Sequence, residues 1–206
     1  MAEPSPLPLG AVLLAGGASR RFGADNKLLA KIGDGPILVK VAREILAAGV
    51  GELVVVTGAE HDPYVAALAG CAVRFVANPD WDEGIGGSIA VGVRALSDVP
   101  EGVFIVPGDL PNLTAGMFCR LGAAFAERDG PCVVVPVTAE GAQRNPVLWP
   151  RWLFPKLAAL SGPKGGKSLL DTLGEARVDV AFDDESLFAD IDTADDYARL
   201  IAGASR

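Results

Sequence analysis

Four stretches of the chain combine residue types that could handle phosphate. The first is Leu14-Ala15-Gly16-Gly17-Ala18-Ser19-Arg20-Arg21-Phe22-Gly23, followed by Asn26-Lys27. Glycines let backbone N–H groups approach a polyphosphate closely, and arginine and lysine neutralise its charge. Either arginine alone reads equally as a solvated surface turn. The whole loop is harder to read that way, because Arg20, Arg21, Lys27, Lys31 and Lys40 set five positive charges within 21 residues of an otherwise acidic chain. The second stretch, Asn78-Pro79-Asp80-Trp81-Asp82-Glu83-Gly84-Ile85-Gly86-Gly87-Ser88, suits a base or ribose read by backbone groups, and equally a flexible glycine turn. In the third, Val106-Pro107-Gly108-Asp109-Leu110-Pro111, a carboxylate follows the most apolar run of the chain. Such a group can hold Mg²⁺, a hard ion that takes oxygen ligands, or can serve as an ordinary turn or helix cap. The fourth, Phe188-Ala189-Asp190-Ile191-Asp192-Thr193, offers a second carboxylate and an N-cap for a following helix, two readings that are compatible.

Composition narrows the chemistry. The 206 residues carry 18 Lys+Arg against 26 Asp+Glu, a formal charge of -8, and a single histidine, His61. A sequence-independent nucleic-acid binder needs a basic field to displace counterions, so nucleic acid is not an expected partner. One imidazole excludes a two-histidine zinc site and a histidine-pair acid/base mechanism. Carboxylates, lysines, arginines and backbone amides must therefore carry the chemistry. Cys71, Cys119 and Cys132 are odd in number and set among apolar residues, which reads as core thiols in a reducing compartment. Residues 1–10 have neither a basic n-region nor a long apolar h-region, and no stretch approaches 18 uninterrupted apolar residues, so a cytoplasmic protein with no membrane association is expected.

These loops must be positioned by the elements between them. Strands are predicted near 11–15, 53–57, 72–77, 103–107, 132–138, 146–149 and 178–182. Helices are predicted over 36–48, 62–69, 87–96, 113–127, 150–160, 166–174 and 193–202, with Pro36, Asp62-Pro63 and Thr193 as start signals. Alternation of strands with helices predicts a mostly parallel sheet covered on both faces, a three-layer α/β/α Rossmann-like arrangement in one domain over 1–206. Val54, Val55, Val103 and Ile105 lie in runs apolar at nearly every position, as strands buried on both faces are. Ligands then belong beyond the carboxyl ends of the strands. The first loop is not the dinucleotide fingerprint, since Leu53–Thr57 leads into Gly58-Ala59 rather than an acidic residue. Gly162-Pro163-Lys164-Gly165-Gly166-Lys167-Ser168 is not a P-loop either: Ser161 stands where the first glycine is required, and a helical pattern precedes it.

Taken together, these residues resemble the nucleotidyltransferases of glycosyltransferase-A-like fold, and within them the molybdenum cofactor cytidylyltransferases and guanylyltransferases. The resemblance spans about residues 10–202. The family's opening, Leu-Ala-x-Gly-x-Ser-x-Arg-Met/Phe-Gly followed by Lys, is matched from Leu14 to Lys27. It implies that Leu14, Ala15, Gly16, Gly17 and Ser19 line the nucleotide site and that Arg21 and Lys27 bind phosphate and act in catalysis by stabilising the leaving pyrophosphate. It further implies that Asn78, Gly84, Gly86 and Ser88 complete the nucleotide pocket, that Asp109 acts in catalysis and holds Mg²⁺, and that Asp192 is the second metal carboxylate. Leu14-Ala15-Gly16-Gly17 has the guanylyl form, whereas Arg144-Asn145-Pro146-Val147-Leu148-Trp149 looks like the acceptor-side strand of the cytidylyl branch. Cytidylyl relatives tend to carry Gly-Asp-x-Gly-Ala-Arg near the acceptor; Gly162 to Lys167 keeps the glycines and the positive charge.

The implied reaction moves a nucleoside monophosphate from CTP or GTP to the phosphate of a molybdopterin-type acceptor, with a molybdoenzyme as a further partner. It suits a chain with one histidine, because a phosphate monoester with a second pKa of about 6 needs no general base. Rival readings are transfer to a sugar phosphate or another small phosphorylated acceptor, and a non-catalytic nucleotide-binding accessory to a molybdoenzyme. The retained Lys27, Arg21, Asp109 and Asp192 argue against the accessory role. Residues 178–197 hold eight acidic side chains and no basic one, which alone accounts for the net charge of -8. The expectation is that this acidic stretch and the cationic stretch at 20–40 meet around metal and polyphosphate.

Overall fold

Runs of valine, isoleucine and leucine build the sheet, and their two-residue period assigns each strand's side chains to opposite layers. The computed structural model describes residues 7–17, 22, 26–127 and 132–204. The strands are β1 (Leu9–Ala15), β2 (Lys31–Ile32), β3 (Gly35–Pro36), β4 (Glu52–Thr57), β5 (Arg74–Ala77), β6 (Gly102–Pro107), β7 (Val133–Thr138), β8 (Val147–Pro150) and β9 (Arg177–Phe182). The helices are α1 (Ile37–Ala47), α2 (Asp62–Ala67), α3 (Ile85–Ala95), α4 (Ala115–Ala126), α5 (Phe154–Leu157), α6 (Lys167–Leu170) and α7 (Ala194–Ala204). Seven strands form one sheet in the order β5-β4-β1-β6-β8-β7-β9, and β2 and β3 form a separate small hairpin.

Within β1, Ala11, Leu13 and Ala15 face one core with residues of α1, α2 and α4, while Val12 and Leu14 face a second core with residues of α3, α5 and α6. This is a three-layer α/β/α arrangement. All pairings in the large sheet are parallel except those of β8, which runs antiparallel to both β6 and β7. Consequently the carboxyl ends of β1, β4, β5, β6 and β9 share one edge with the start of β8. That edge gathers the residues after the parallel strands together with those just before β8, including Arg144 and the cis peptide Asn145–Pro146.

All seven expected strands are present, with ends shifted by a residue or two. Two expected helices are shorter. An α-helix starting at Arg151 would need an N–H from residue 155, which is Pro155; the Phe154 N–H instead closes a 3-10 turn on the Arg151 carbonyl, and α5 follows for four residues. The stretch expected as helix over 166–174 ends at Leu170. There the Thr172 hydroxyl donates to the Leu169 carbonyl at 2.8 Å, and Gly174 takes a left-handed φ of 49°. The reading of three core cysteines needs correction. Cys132 is buried, but Cys71 is half-buried and Cys119 is exposed on α4, and none forms a disulfide. Among the described residues no helix is long and apolar enough to cross a membrane.

Candidate active site

Three of the singled-out side chains converge. The Lys27 Nζ donates to Asp109 Oδ2 at 2.7 Å and to Asp192 Oδ1 at 3.2 Å, although the partners lie 82 and 165 residues away in sequence. Lys27 opens a three-residue 3-10 turn, Lys27–Leu29, capped by the Asn26 side chain. Asp109 follows β6, where the Gly108 N–H donates to the Leu14 carbonyl at 3.0 Å and ties the loop to the end of β1. A Cβ on Gly108 would lie 2.8 Å from that carbonyl oxygen, so this close approach requires glycine. Asp192 is brought alongside because the Ile191 N–H donates to the Asp109 carbonyl at 3.1 Å, with Ile191 itself buried. Burial alone would lower the Lys27 ammonium; attraction and hydrogen bonding from Asp109, then from Asp192, outweigh it and hold the group above the ordinary lysine value.

This cluster sits at a cavity of about 230 Å³ whose wall includes Gly16, Gly17, Lys27, Trp81, Ser88 and Asp109. The Gly16 carbonyl accepts from the Ala59 N–H at 3.5 Å, and Gly58 packs directly on the Gly16 backbone. Asn78 and Ser88 are buried beneath, with Asn78 Nδ2 donating to Ser88 Oγ at 3.0 Å. A second cavity of about 270 Å³ lies beside it and shares Leu14, Ile85 and Pro107 as a common wall. Its lining holds three cationic residues, Arg144, Lys164 and Lys167, no carboxylate, and an apolar surface that includes Trp149.

Among the remaining singled-out residues, Leu14 and Ala15 end β1 with side chains in the two opposite cores. Gly84 and Gly86 face the chain at 161–163 rather than open space. A Cβ on Gly86 would lie 2.6 Å from the Ser161 carbonyl oxygen, a Cβ on Gly84 would overlap Gly162, and the Gly86 N–H donates to the Gly162 carbonyl at 2.9 Å. Their lack of side chains thus admits the backbone that carries Lys164 and Lys167. Ser19 and Arg21, with Arg20, lie outside the described residues. The N-cap expected at Thr193 is present, with the Thr193 N–H donating to Asp196 Oδ2 at 2.8 Å; spacing gave no signal for its extension to the Asp192 N–H or for the pairing of Asn26 with Tyr64.

Two carboxylates already share one cation here, and an open cavity adjoins them. That donor set fits a hard divalent ion such as Mg²⁺, which takes one or two carboxylates and completes its shell with water and substrate phosphate. Among the described residues no group of three or more His, Cys, Asp or Glu forms a site from protein ligands alone. Water or other oxygen donors would complete the shell of such an ion.

Known proteins resemble the chain in sequence and in fold. A probable molybdenum cofactor guanylyltransferase of Haloferax mediterranei is 30% identical over 201 residues, 92% of this chain and 91% of that protein. The nicotine blue oxidoreductase of Paenarthrobacter nicotinovorans is 27% identical over 201 residues, 92% of this chain and 95% of that one. The crystal structure of Rv0371c from Mycobacterium tuberculosis H37Rv superposes with a TM-score of 0.83 at 26% identity, covering 96% of this chain and 100% of that chain. Residues 11–178 match the family model of the MobA-like NTP transferase domain. With that match over most of its length, an α/β nucleotidyltransferase fold and a lysine-dicarboxylate cluster at the carboxyl edge of the sheet, the chain belongs to the MobA-like NTP transferase domain family and is a nucleotidyltransferase.

Proposed function

We propose that the protein transfers a nucleoside monophosphate from CTP or GTP to the phosphate of a molybdopterin-type acceptor, releasing pyrophosphate in a Mg²⁺-dependent reaction. The observation that supports this most is the meeting of Lys27, Asp109 and Asp192, the first two lining a cavity that shares a wall with a second, cation-lined one. Two polyanions can then lie side by side, as in-line transfer needs. Gly16, Gly17, Ser19, Arg21 and Lys27 would bind the triphosphate, with Leu14, Ala15, Asn78, Gly84, Gly86 and Ser88 shaping the nucleotide side. Arg144, Lys164 and Lys167 would hold the acceptor phosphate.

An acceptor phosphate oxygen attacks the α-phosphorus and forms a new P–O bond. The bond from the α-phosphorus to the α,β-bridging oxygen breaks, and its electron pair leaves with pyrophosphate. The nucleophile is largely dianionic near neutrality, so no protein base is needed. His61 is free to serve elsewhere, and its Nδ1 is engaged with the Thr57 hydroxyl at 2.9 Å. Lys27, held cationic, would meet the charge developing on the leaving group. Mg²⁺ at Asp109 and Asp192 would supply neutralisation at the α-phosphate.

The test is pyrophosphate release with CTP or GTP, Mg²⁺ and molybdopterin, with product mass as a second readout. Release with one nucleotide, and only when acceptor is present, is expected. Release with a sugar phosphate instead would reassign the acceptor. Tight nucleotide binding without release for any pair would favour an accessory role. The relative named as an oxidoreductase sets a further competing outcome, oxidation or reduction of a substrate with no pyrophosphate formed.

A further inference from the structure

Lys27 stands on a 3-10 turn of three residues, too short to hold its own geometry cooperatively. Its position is set from outside. Asn26 Oδ1 accepts from the Leu28 N–H at 2.9 Å, while Asn26 Nδ2 donates to the Tyr64 hydroxyl at 2.7 Å. Tyr64 lies on α2, is fully buried in the core shared with α1, and sits 38 residues from its partner. The Asn26 side chain therefore spends one end on the Lys27 turn and the other on a rigid point of the core. A phenylalanine would fill the same space, so the hydroxyl serves the polar contact rather than the packing. On the far side of the turn, Leu28 is buried and the Ala30 carbonyl accepts from the Ile37 N–H at 3.0 Å, which leaves the Asn26 end as the adjustable one.

We propose that Tyr64 and Asn26 form a clamp that sets the Lys27 ammonium between Asp109 and Asp192, and that both are positioning residues for nucleotidyl transfer. The inference rests on the reading of Lys27 as the cation that meets the triphosphate. Neither residue lines either of the two cavities. They act by holding the turn in register with the carboxylates, where small displacements of a charged group cost rate.

Two readouts test this on Tyr64→Phe and on Asn26→Ala, the latter at a partly exposed position that keeps the test open if the tyrosine variant unfolds. In the free protein, amide hydrogen exchange at Leu28 should accelerate about tenfold in either variant while the amides of β1 keep their protection. With substrates, kcat for pyrophosphate release should fall about tenfold and the nucleotide KM should change less than threefold, because the other phosphate contacts persist. The double variant should be no slower than Asn26→Ala alone, since one removes what the other holds. Unchanged Leu28 exchange, an unchanged kcat or fully additive losses would overturn the clamp. If the wild-type protein releases no pyrophosphate with any nucleotide, the functional reading fails, and Leu28 exchange still decides the clamp separately.

Discussion

Asp109 shares its cation with Asp192, and the sharing determines what its removal does. Its backbone carbonyl, not its side chain, receives the Ile191 N–H that joins the two loops. The side chain is 23% exposed and bonded to Lys27, which keeps Asp192 as a partner when Asp109 is truncated. Asp109→Ala should therefore fold, with a melting temperature within a few degrees of wild type. Transfer should fall by about 10²–10³-fold, the scale of losing a preorganised charge at the reacting phosphate. Parallel thermal melts and pyrophosphate assays separate the two effects, and full activity in the presence of Mg²⁺ would remove the metal role from Asp109. Lys27 is not the source of any pH dependence near neutrality. Its pKa is raised on folding, so its stabilising contribution is complete below about 10.5 and is lost only as pH rises through the folded value.

At the scale of the element, α7 fixes Asp192 through its first turn. The Thr193 hydroxyl accepts from the Asp196 N–H at 3.2 Å and donates back to the Asp196 carboxylate at 2.7 Å. The same carboxylate takes the Thr193 N–H at 2.8 Å and the Asp192 N–H at 3.3 Å, so a capping box extends to the site residue itself. The Thr193 hydroxyl first, then its N–H, hold the Asp196 carboxyl below the usual carboxylate range against burial, with the Asp192 N–H and Arg199 adding. A depressed folded pKa gives stability that is present above the unfolded value of about 3.9 and lost as pH falls through the folded one. Wild type should thus melt a few degrees above Asp196→Ala at pH 7, with the gap closing as pH drops below about 4; a gap independent of pH would refute the capping account. The carboxylate before a cap was legible in Asp192-Thr193, and so were the strands, because Leu53–Val56 and Val103–Val106 are apolar at every position. The meeting of Asp192 with Asp109 was expected only through resemblance and charge segregation, since nothing local encodes a contact across the sheet edge. Gly84 and Gly86 show the limit most clearly. Glycine marks close approach without saying what approaches, and here it is the backbone at 161–163. The β2–β3 hairpin, with two residues per strand, is too short for any periodicity to reveal.

Over the whole molecule, the layers set how far the site can move. The acidic stretch from 178 to 197 starts in β9, the last strand of the sheet, runs back to Asp192 beside Asp109 and continues into α7, so its carboxylates spread from the sheet's last strand to the site. The opposite constraint comes from α3, which starts at Ile85, carries Ser88, and crosses the sheet most closely at Gly92. A Cβ there would overlap Val12 and lie 2.8 Å from Val56 Cγ2, both fully buried and β-branched with little freedom to turn away. Gly116 on α4, against the other face, is exposed, and an added Cβ would meet nothing nearer than Thr114 Oγ1 at 3.9 Å. Alanine in place of helical glycine contributes about 0.5–1 kcal/mol through backbone entropy, whereas overpacking a filled core costs about 1–3 kcal/mol. The two terms win at different positions. Gly116→Ala should raise the melting temperature by one to a few degrees and leave transfer unchanged, at about 2–4 °C per kcal/mol for a chain of this size. Gly92→Ala should lower it by several degrees and raise the nucleotide KM, because α3 can relieve the contact only by lifting from β1 and β4, carrying Ile85 away from the shared wall of the two cavities and Ser88 away from the one beside Lys27. Equal stabilisation by both substitutions would show that α3 has room to spare above the sheet and that its distance from β1 does not govern the site.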